Sequence, residues 1–181
     1  MRPTLRTLAF AAGTLAALSA PSLAQAQQRL SPVRITVEQA ARAEALHAEA
    51  KKYDGSLKAF RKVARFHEDA AALRAPDDPR NFECLRTAAL LRYYSGDRRA
   101  GGARMEEAAI HAAAHGDVIG AANAYIDAAI IANESRHSQR TRELAQSAEL
   151  LTGSPLLTEA QRLDLRSRLS GSFAVATLDR R

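Results

Sequence analysis

From residue 35 to about residue 170, apolar positions recur three and four residues apart, and no run alternates apolar and polar in the manner of a strand. Clusters of Gly, Pro and Asp divide this pattern into seven predicted helices, at 36–52, 56–73, 82–95, 98–114, 117–133, 137–152 and 158–170. The clearest breaks are Asp54-Gly55, "APDDPRN" at 75–81 and "TGSP" at 152–155. Two helix starts carry a chemical mark. "ITVEQ" at 35–39 and "LTEAQ" at 157–161 each set a threonine three residues before a glutamine, so hydroxyl and amide satisfy orphan backbone donors reciprocally. The fifth helix is apolar nearly all round, leaving a narrow polar strip through Gly120, Asn123 and Asp127, and it is expected at the centre of the packing. The tail "GSFAVATLDRR" alternates weakly and is expected either to be disordered or to lie extended against the helices.

A repeat underlies the helices. "GDRRAGGARMEEAAI" begins at Gly96 and "GDVIGAANAYIDAAI" at Gly116, so Gly-Asp followed by Ala-Ala-Ile recurs with a period of twenty residues. Ala88-Ala89 keeps that phase upstream, and Ala148 keeps it downstream. Each unit is one helix and its turn. Small residues at mid-helix allow neighbouring helices to approach at the short end of the usual range of about 8–10 Å. The aspartate offers an oxygen to cap the helix that follows. Gly101-Gly102 sits awkwardly inside this scheme, because glycine costs roughly 1 kcal/mol relative to alanine within a helix. Either the helix starts after the pair, or another backbone packs tightly there.

Residues 102–135, "GARMEEAAIHAAAHGDVIGAANAYIDAAIIANES", resemble a tetratricopeptide repeat. Gly116 and Asp117 fall at that family's turn between helices, and Ala121, Tyr125 and Ala128 fall where its second helix has Ala, Tyr or Phe, and Ala. Met105, Ala108 and Ala109 depart from the family's Trp, Leu and Gly, the final Pro is missing, and a second register with Gly96-Asp97 at the turn competes. The resemblance implies an all-α fold, with antiparallel hairpins stacked as a short right-handed solenoid of about seven helices. The helices from 36 to 152 would make three hairpins and the last helix a cap. It further implies a concave face that binds a peptide or protein partner, without catalysis or cofactor. A rival resemblance is to the Spy-like periplasmic chaperones, whose Leu-Thr-x-x-Gln motif "LTEAQ" matches fully and "ITVEQ" nearly.

The N-terminus changes the picture of where this fold works. Arg2 and Arg6, an apolar run from about Leu8 to Leu18, and Ala24-Gln25-Ala26 have the order of a signal peptide, and the run is too short to span a bilayer. The expected division is a signal peptide at 1–26, a linker at 27–34, a helical-repeat domain at 35–170 and a tail at 171–181, with a periplasmic or secreted product. No cysteine follows the signal segment to carry a lipid anchor. Cleavage removes two arginines and no acid, lowering the formal charge from +6 to +4, and a small surplus spread along the chain does not indicate a nucleic-acid binder. The single cysteine, Cys84, cannot form an internal disulfide; it shares a face with Ala88 and Leu91 and is expected to be buried, the alternative being a pairing with another molecule.

Few constellations suggest chemistry. There is no phosphate-cradling glycine loop, no Gly-x-Ser-x-Gly and no Cys-x-x-Cys. His111 and His115, spaced i and i+4, are a speculative metal pair with Arg104 and Glu107 on the same face, but "HAAAH" lacks the glutamate of a zinc-protease motif, and a solvated polar stripe is the simpler reading. Glu134 and His137 have the Glu-x-x-His spacing of di-iron bundles, yet they straddle a helix boundary. Candidate partner-binding residues are the basic face of Lys58, Arg61, Lys62 and Arg65, together with Arg104, Glu107 and Tyr94. Tyr93 and Tyr94 cannot share a helical face, so one belongs to the core and the other is exposed beside Arg92 as an interface anchor or a rim residue.

Overall fold

The computed structural model describes residues 35–53 and 59–178, and among these every regular element is an α-helix. In chain order they are α1 (Val37–Lys51), α2 (Phe60–Leu73), α3 (Arg80–Tyr94), α4 (Arg98–Ala114), α5 (Val118–Glu134), α6 (Ser138–Thr152) and α7 (Glu159–Leu178). The signal segment, the linker, the Asp54-Gly55 turn, Lys58 and the last three residues lie outside the described residues. Both threonine–glutamine boxes form. Thr36 N–H donates to Gln39 Oε1 at 2.9 Å and Gln39 N–H to Thr36 Oγ1 at 3.1 Å, and Thr158 and Gln161 exchange the same bonds at 2.8 and 3.3 Å. One boundary differs from expectation: residues 171–178 of the tail are helical and continue α7. The weak alternation there misled, since Ser170-Gly171-Ser172 is a poor helix stop. Ser170 Oγ donates back to Arg166 O at 2.9 Å, which settles its hydroxyl inside the helix.

The joints repeat more faithfully than the sequence does. After α3, Asp97 N–H bonds Arg92 O at 2.9 Å while Gly96 N–H bonds Tyr93 O at 3.0 Å; after α4, Asp117 and Gly116 do the same to Ala112 and Ala113 at 3.0 and 3.1 Å. After α5, His137 and Arg136 do so to Ala132 and Asn133, both at 2.9 Å. Each is a Schellman turn, which needs a left-handed residue at its corner. Gly96, Gly116 and Arg136 supply it, twenty residues apart, at φ of 86°, 77° and 59°. Asp97 and Asp117 then cap the next helices by accepting from Ala100 and Gly120 N–H at 3.3 and 2.8 Å, whereas His137 makes no side-chain cap.

Short joints make consecutive helices antiparallel neighbours, and helices two apart lie side by side. Glu44 of α1 pairs with Arg80 of α3 at 2.6 Å, Tyr93 Oη of α3 donates to Glu134 of α5 at 2.7 Å, and Arg168 of α7 reaches Asp127 of α5 at 3.1 Å. In the opposite layer Glu68 of α2 pairs with Arg104 of α4 at 3.3 Å, and Glu106 of α4 pairs with Arg140 of α6. The stack therefore has two layers, α1, α3, α5 and α7 against α2, α4 and α6. Consecutive helices from α3 to α6 pack to similar extents, so the stack is continuous and does not fall into separable hairpins.

Small residues hold the layers close. Ala88, Ala108, Ala128 and Ala148, one per helix at the repeat spacing, are all 0% exposed. α5 is the centre, with ten of its 17 residues buried, and its polar strip is met by Arg168, which donates to Asn123 as well as to Asp127. Burial raises the Asp127 carboxyl pKa above its ordinary value, against the opposing pull of Arg168. Gly101 decides the question left open by the glycine pair. It is buried within α4, and a Cβ there would stand 2.9 Å from Ala89 O and 3.0 Å from Tyr93 N, so the backbones of α3 and α4 touch at this point.

Candidate functional site

α2 and α4 run beside each other above the first half of α3 and leave a groove of about 470 Å³ between them. Ala71 and Ala72 line the α2 wall, Ile110 and His111 the α4 wall, and Asn81 and Leu85 the α3 floor. The "APDDPRN" turn closes one end. His111 Nε2 meets Pro76 O at 2.9 Å, and Asn81 Nδ2 donates to Ala75 O at 2.9 Å, so the turn is stitched to α4 and α3.

Charges frame the groove without leaving it strongly signed. Glu68 takes a bidentate pair from Arg92, Nε to Oε1 at 3.1 Å and Nη2 to Oε2 at 2.7 Å, and Arg104 Nε adds a contact at 3.3 Å. Arg104 Nη1 also grips both Glu107 oxygens, at 2.7 and 2.6 Å. Burial tends to raise the Glu68 pKa, but Arg92 and Arg104 outweigh it and hold the carboxyl below its ordinary range. Burial, aided by the neighbouring His115, pushes the His111 pKa below its ordinary value, so the ring is neutral at pH 7. A neutral imidazole has a single N–H, and the one facing a carbonyl must be on Nε2; His111 Nδ1 is therefore an acceptor.

Three polar atoms of the groove lining find no hydrogen-bond partner among the described residues: Arg74 Nε, Asn81 Oδ1 and His111 Nδ1. Their residues are 3%, 4% and 5% exposed. Buried polar atoms are almost always satisfied, and a vacancy of this kind costs about 1–3 kcal/mol. All three lie beneath the groove surface, whose own lining combines apolar Ala71, Ala72, Leu85 and Ile110 with charged Glu68, Arg104 and Glu107.

The residues singled out from sequence divide around this groove. Arg104, Glu107 and His111 line it. His115 lies at its end, stacked on His111 with ring centroids 4.5 Å apart, and its two nitrogens face His111 O at 2.9 Å and Asp77 O at 2.6 Å. The two imidazoles therefore stack and serve backbone carbonyls; they do not converge on a common ion. Arg61, Lys62 and Arg65 form a separate exposed patch with Phe66 and Asp69, where Lys62 Nζ sits 4.7 Å above the Tyr53 ring. Tyr93 is half-buried and Tyr94 exposed, and neither lines the groove. Glu134 is taken up by Tyr93 and Arg98, while His137 belongs to a Schellman joint. Cys84 is buried and free, beside Ala88 as expected.

The groove's other residues, among them Glu68, Arg74 and Asn81, carry no motif. Only Arg74 leaves a trace in sequence, a lone charge inside the apolar run "AAALRAP" at 70–76. The fold and the groove define a helical-repeat protein with a part-apolar, part-polar cleft. No protein-family model, curated protein or solved structure matches the chain. Among the described residues no helix is long and apolar enough to cross a membrane.

Proposed function

We propose that the chain is a tetratricopeptide-like, non-catalytic interaction module, exported by its N-terminal segment, which takes an extended peptide of a partner protein into the groove between α2 and α4. The observation that carries this reading is the groove itself, about 470 Å³, in which apolar Ala71, Ala72, Leu85 and Ile110 stand beside the charged Glu68, Arg104 and Glu107. An extended backbone offers N–H and C=O alternately, and a small apolar side chain fills the space between them. Arg104, held by Glu68 and Glu107, lines the same groove. A display library of short random peptides, panned against the full chain, tests the reading. The expected result is an enriched set whose binding falls at least about tenfold, equivalent to roughly 1.4 kcal/mol, on Ala72→Arg, since Ala72 is an exposed wall residue. No enrichment, or enrichment indifferent to Ala72→Arg, would refute it.

Leu150, Leu156 and Leu163, exposed at 70%, 70% and 57% around the α6–α7 end, favour a second reading as a chaperone-like protein that holds unfolded clients. Suppression of client aggregation that is lost on Leu150→Ser and Leu156→Ser, and untouched by Ala72→Arg, would select it over the first.

A further inference from the structure

At the end of the stack formed by α1, α2 and α3, each helix contributes one side chain to a common point. His47 of α1, His67 of α2 and Cys84 of α3 each present a ligand atom, and these atoms all lie within 4.8 Å of one another. Cys84 is 0% and His67 5% exposed, while His47 is half-buried and gives the cluster an edge towards solvent. Cys84 Sγ is 3.5 Å from His47 Nδ1, and the two imidazoles meet edge to face with centroids 5.5 Å apart. In a three-coordinate centre with bonds of about 2.3 Å to sulfur and 2.0 Å to nitrogen, the sulfur and nitrogen atoms stand about 3.7 Å apart. The sulfur and the His47 nitrogen, 3.5 Å apart, are close to that separation. A shift of at most about 1 Å in the remaining donor closes the ring, since no two of the three atoms are more than 4.8 Å apart.

Arg74 reports which way the lone pairs point. Its guanidinium, with the side chain 1% exposed, places Nη1 3.0 Å from Cys84 Sγ and Nη2 3.3 Å from His47 Nδ1 and 3.1 Å from Glu44 Oε1. A guanidinium only donates. Sulfur and Nδ1 therefore both present acceptor lone pairs, which the guanidinium now takes and which a bound metal ion would take in its place.

We propose that His47, His67 and Cys84 form a binding site for a single soft monovalent cation, Cu(I). Thiolate and imidazole suit copper and zinc alike, so charge makes the choice. One thiolate and two neutral imidazoles cancel a monovalent ion completely; a divalent ion would leave a positive charge against the buried Arg74, whose carboxylate partner Glu44 is half exposed. Binding releases the Cys84 thiol proton to solvent and forms three bonds to the ion, with no change of oxidation state. The sulfur retains lone pairs for the Arg74 Nη1 hydrogen bond, which then steadies the ligand from outside the coordination sphere. Nη2 yields His47 Nδ1 to the metal and keeps Glu44.

The test is anaerobic titration of the reduced full chain with Cu(I) in competition with a chromogenic Cu(I) chelator, followed by the same titration with Zn(II). One equivalent of Cu(I) is expected, with near-ultraviolet sulfur-to-copper absorption and X-ray absorption showing one sulfur and two nitrogen neighbours. Cys84→Ser should abolish the absorption band. His47→Gln, at the half-exposed position, should weaken binding by at least the roughly 10- to 100-fold that outer-sphere changes cost. Circular dichroism shows whether each variant is folded, and the His47 variant decides the matter if the cysteine variant is not. No uptake, uptake unchanged by His47→Gln, or preference for Zn(II) would each overturn the assignment. Ala72→Arg should leave Cu(I) uptake intact, which separates this site from the groove.

Discussion

The glycine pair at 101–102 offers a test in which two neighbouring substitutions should have opposite signs. Alanine improves helix propensity at both positions by up to about 1 kcal/mol. At Gly102 the new Cβ would meet Ile131 Cγ2 at 3.4 Å, an ordinary contact, so Gly102→Ala should stabilise by roughly 0.5–1 kcal/mol. At Gly101 the same Cβ would stand 2.9 Å from Ala89 O and 3.0 Å from Tyr93 N. Those atoms are backbone, and no rotamer change relieves them; α3 and α4 must move apart by about half an ångström or the helices must bend. Overpacking costs about 1–3 kcal/mol, and against fixed backbone about 2–3, so after a gain in propensity of up to about 1 kcal/mol Gly101→Ala should lose roughly 1–2 kcal/mol. For a chain of this size about 1 kcal/mol moves Tm by roughly 2–4 °C. Thermal melts followed by circular dichroism should therefore show the two variants displaced to either side of the parent. If both variants melt higher, α3 and α4 do not touch at Gly101, and the close packing of the two backbones there is wrong.

Three further outcomes follow from the joints and the ion pairs. Arg136→Gly should stabilise by about 0.5–1 kcal/mol, because a left-handed L-residue costs roughly 1–2 kcal/mol and glycine returns part of that in chain entropy; urea melts with an unchanged slope would show it. Gly116→Ala should lose about 1 kcal/mol in the same assay, the corner being left-handed there too. Glu68→Gln should destabilise by about 1–3 kcal/mol at pH 7, since it breaks a bidentate pair whose side chains are each 15% exposed. Because the native Glu68 carboxyl titrates below its unfolded value, its contribution is complete above about pH 5 and is lost as the pH falls through the native value. The gap between parent and variant should therefore close on acidification, and a gap that widened would contradict the pairing.

The helices were legible because their punctuation is local. Gly-Asp pairs, the "APDDPRN" turn and two threonine–glutamine boxes each state a boundary within a few residues. The third Schellman joint was harder, since Arg136-His137 performs with an arginine what glycine performs elsewhere, and the end of α7 was missed because nothing after residue 170 forces a stop. Sites behave differently. The groove draws on residues 68 to 111 across three helices, and which of their side chains line it depends on how the helices pack, information that no spacing carries. Arg104, Glu107 and His111 could be seen because one helix displays them at i, i+3 and i+7. The cluster of His47, His67 and Cys84 has no motif spacing, although the twenty residues between the histidines match the period of the stack and hint at equivalent positions on adjacent helices.

The twenty-residue joint has a consequence for how such a chain can grow or shrink. One unit reverses the direction of the backbone, so inserting or deleting a single unit would exchange the two layers for everything downstream: α6 would take the place of α5, and each residue built to face one side would face the other. The lateral ties skip a helix, as Glu68 to Arg104 and Glu106 to Arg140 do, and only a change of two units preserves them. The architecture thus has a parity. Viable lengths should come in steps of forty residues, and a variant lacking residues 98–137 should fold where one lacking 98–117 should not.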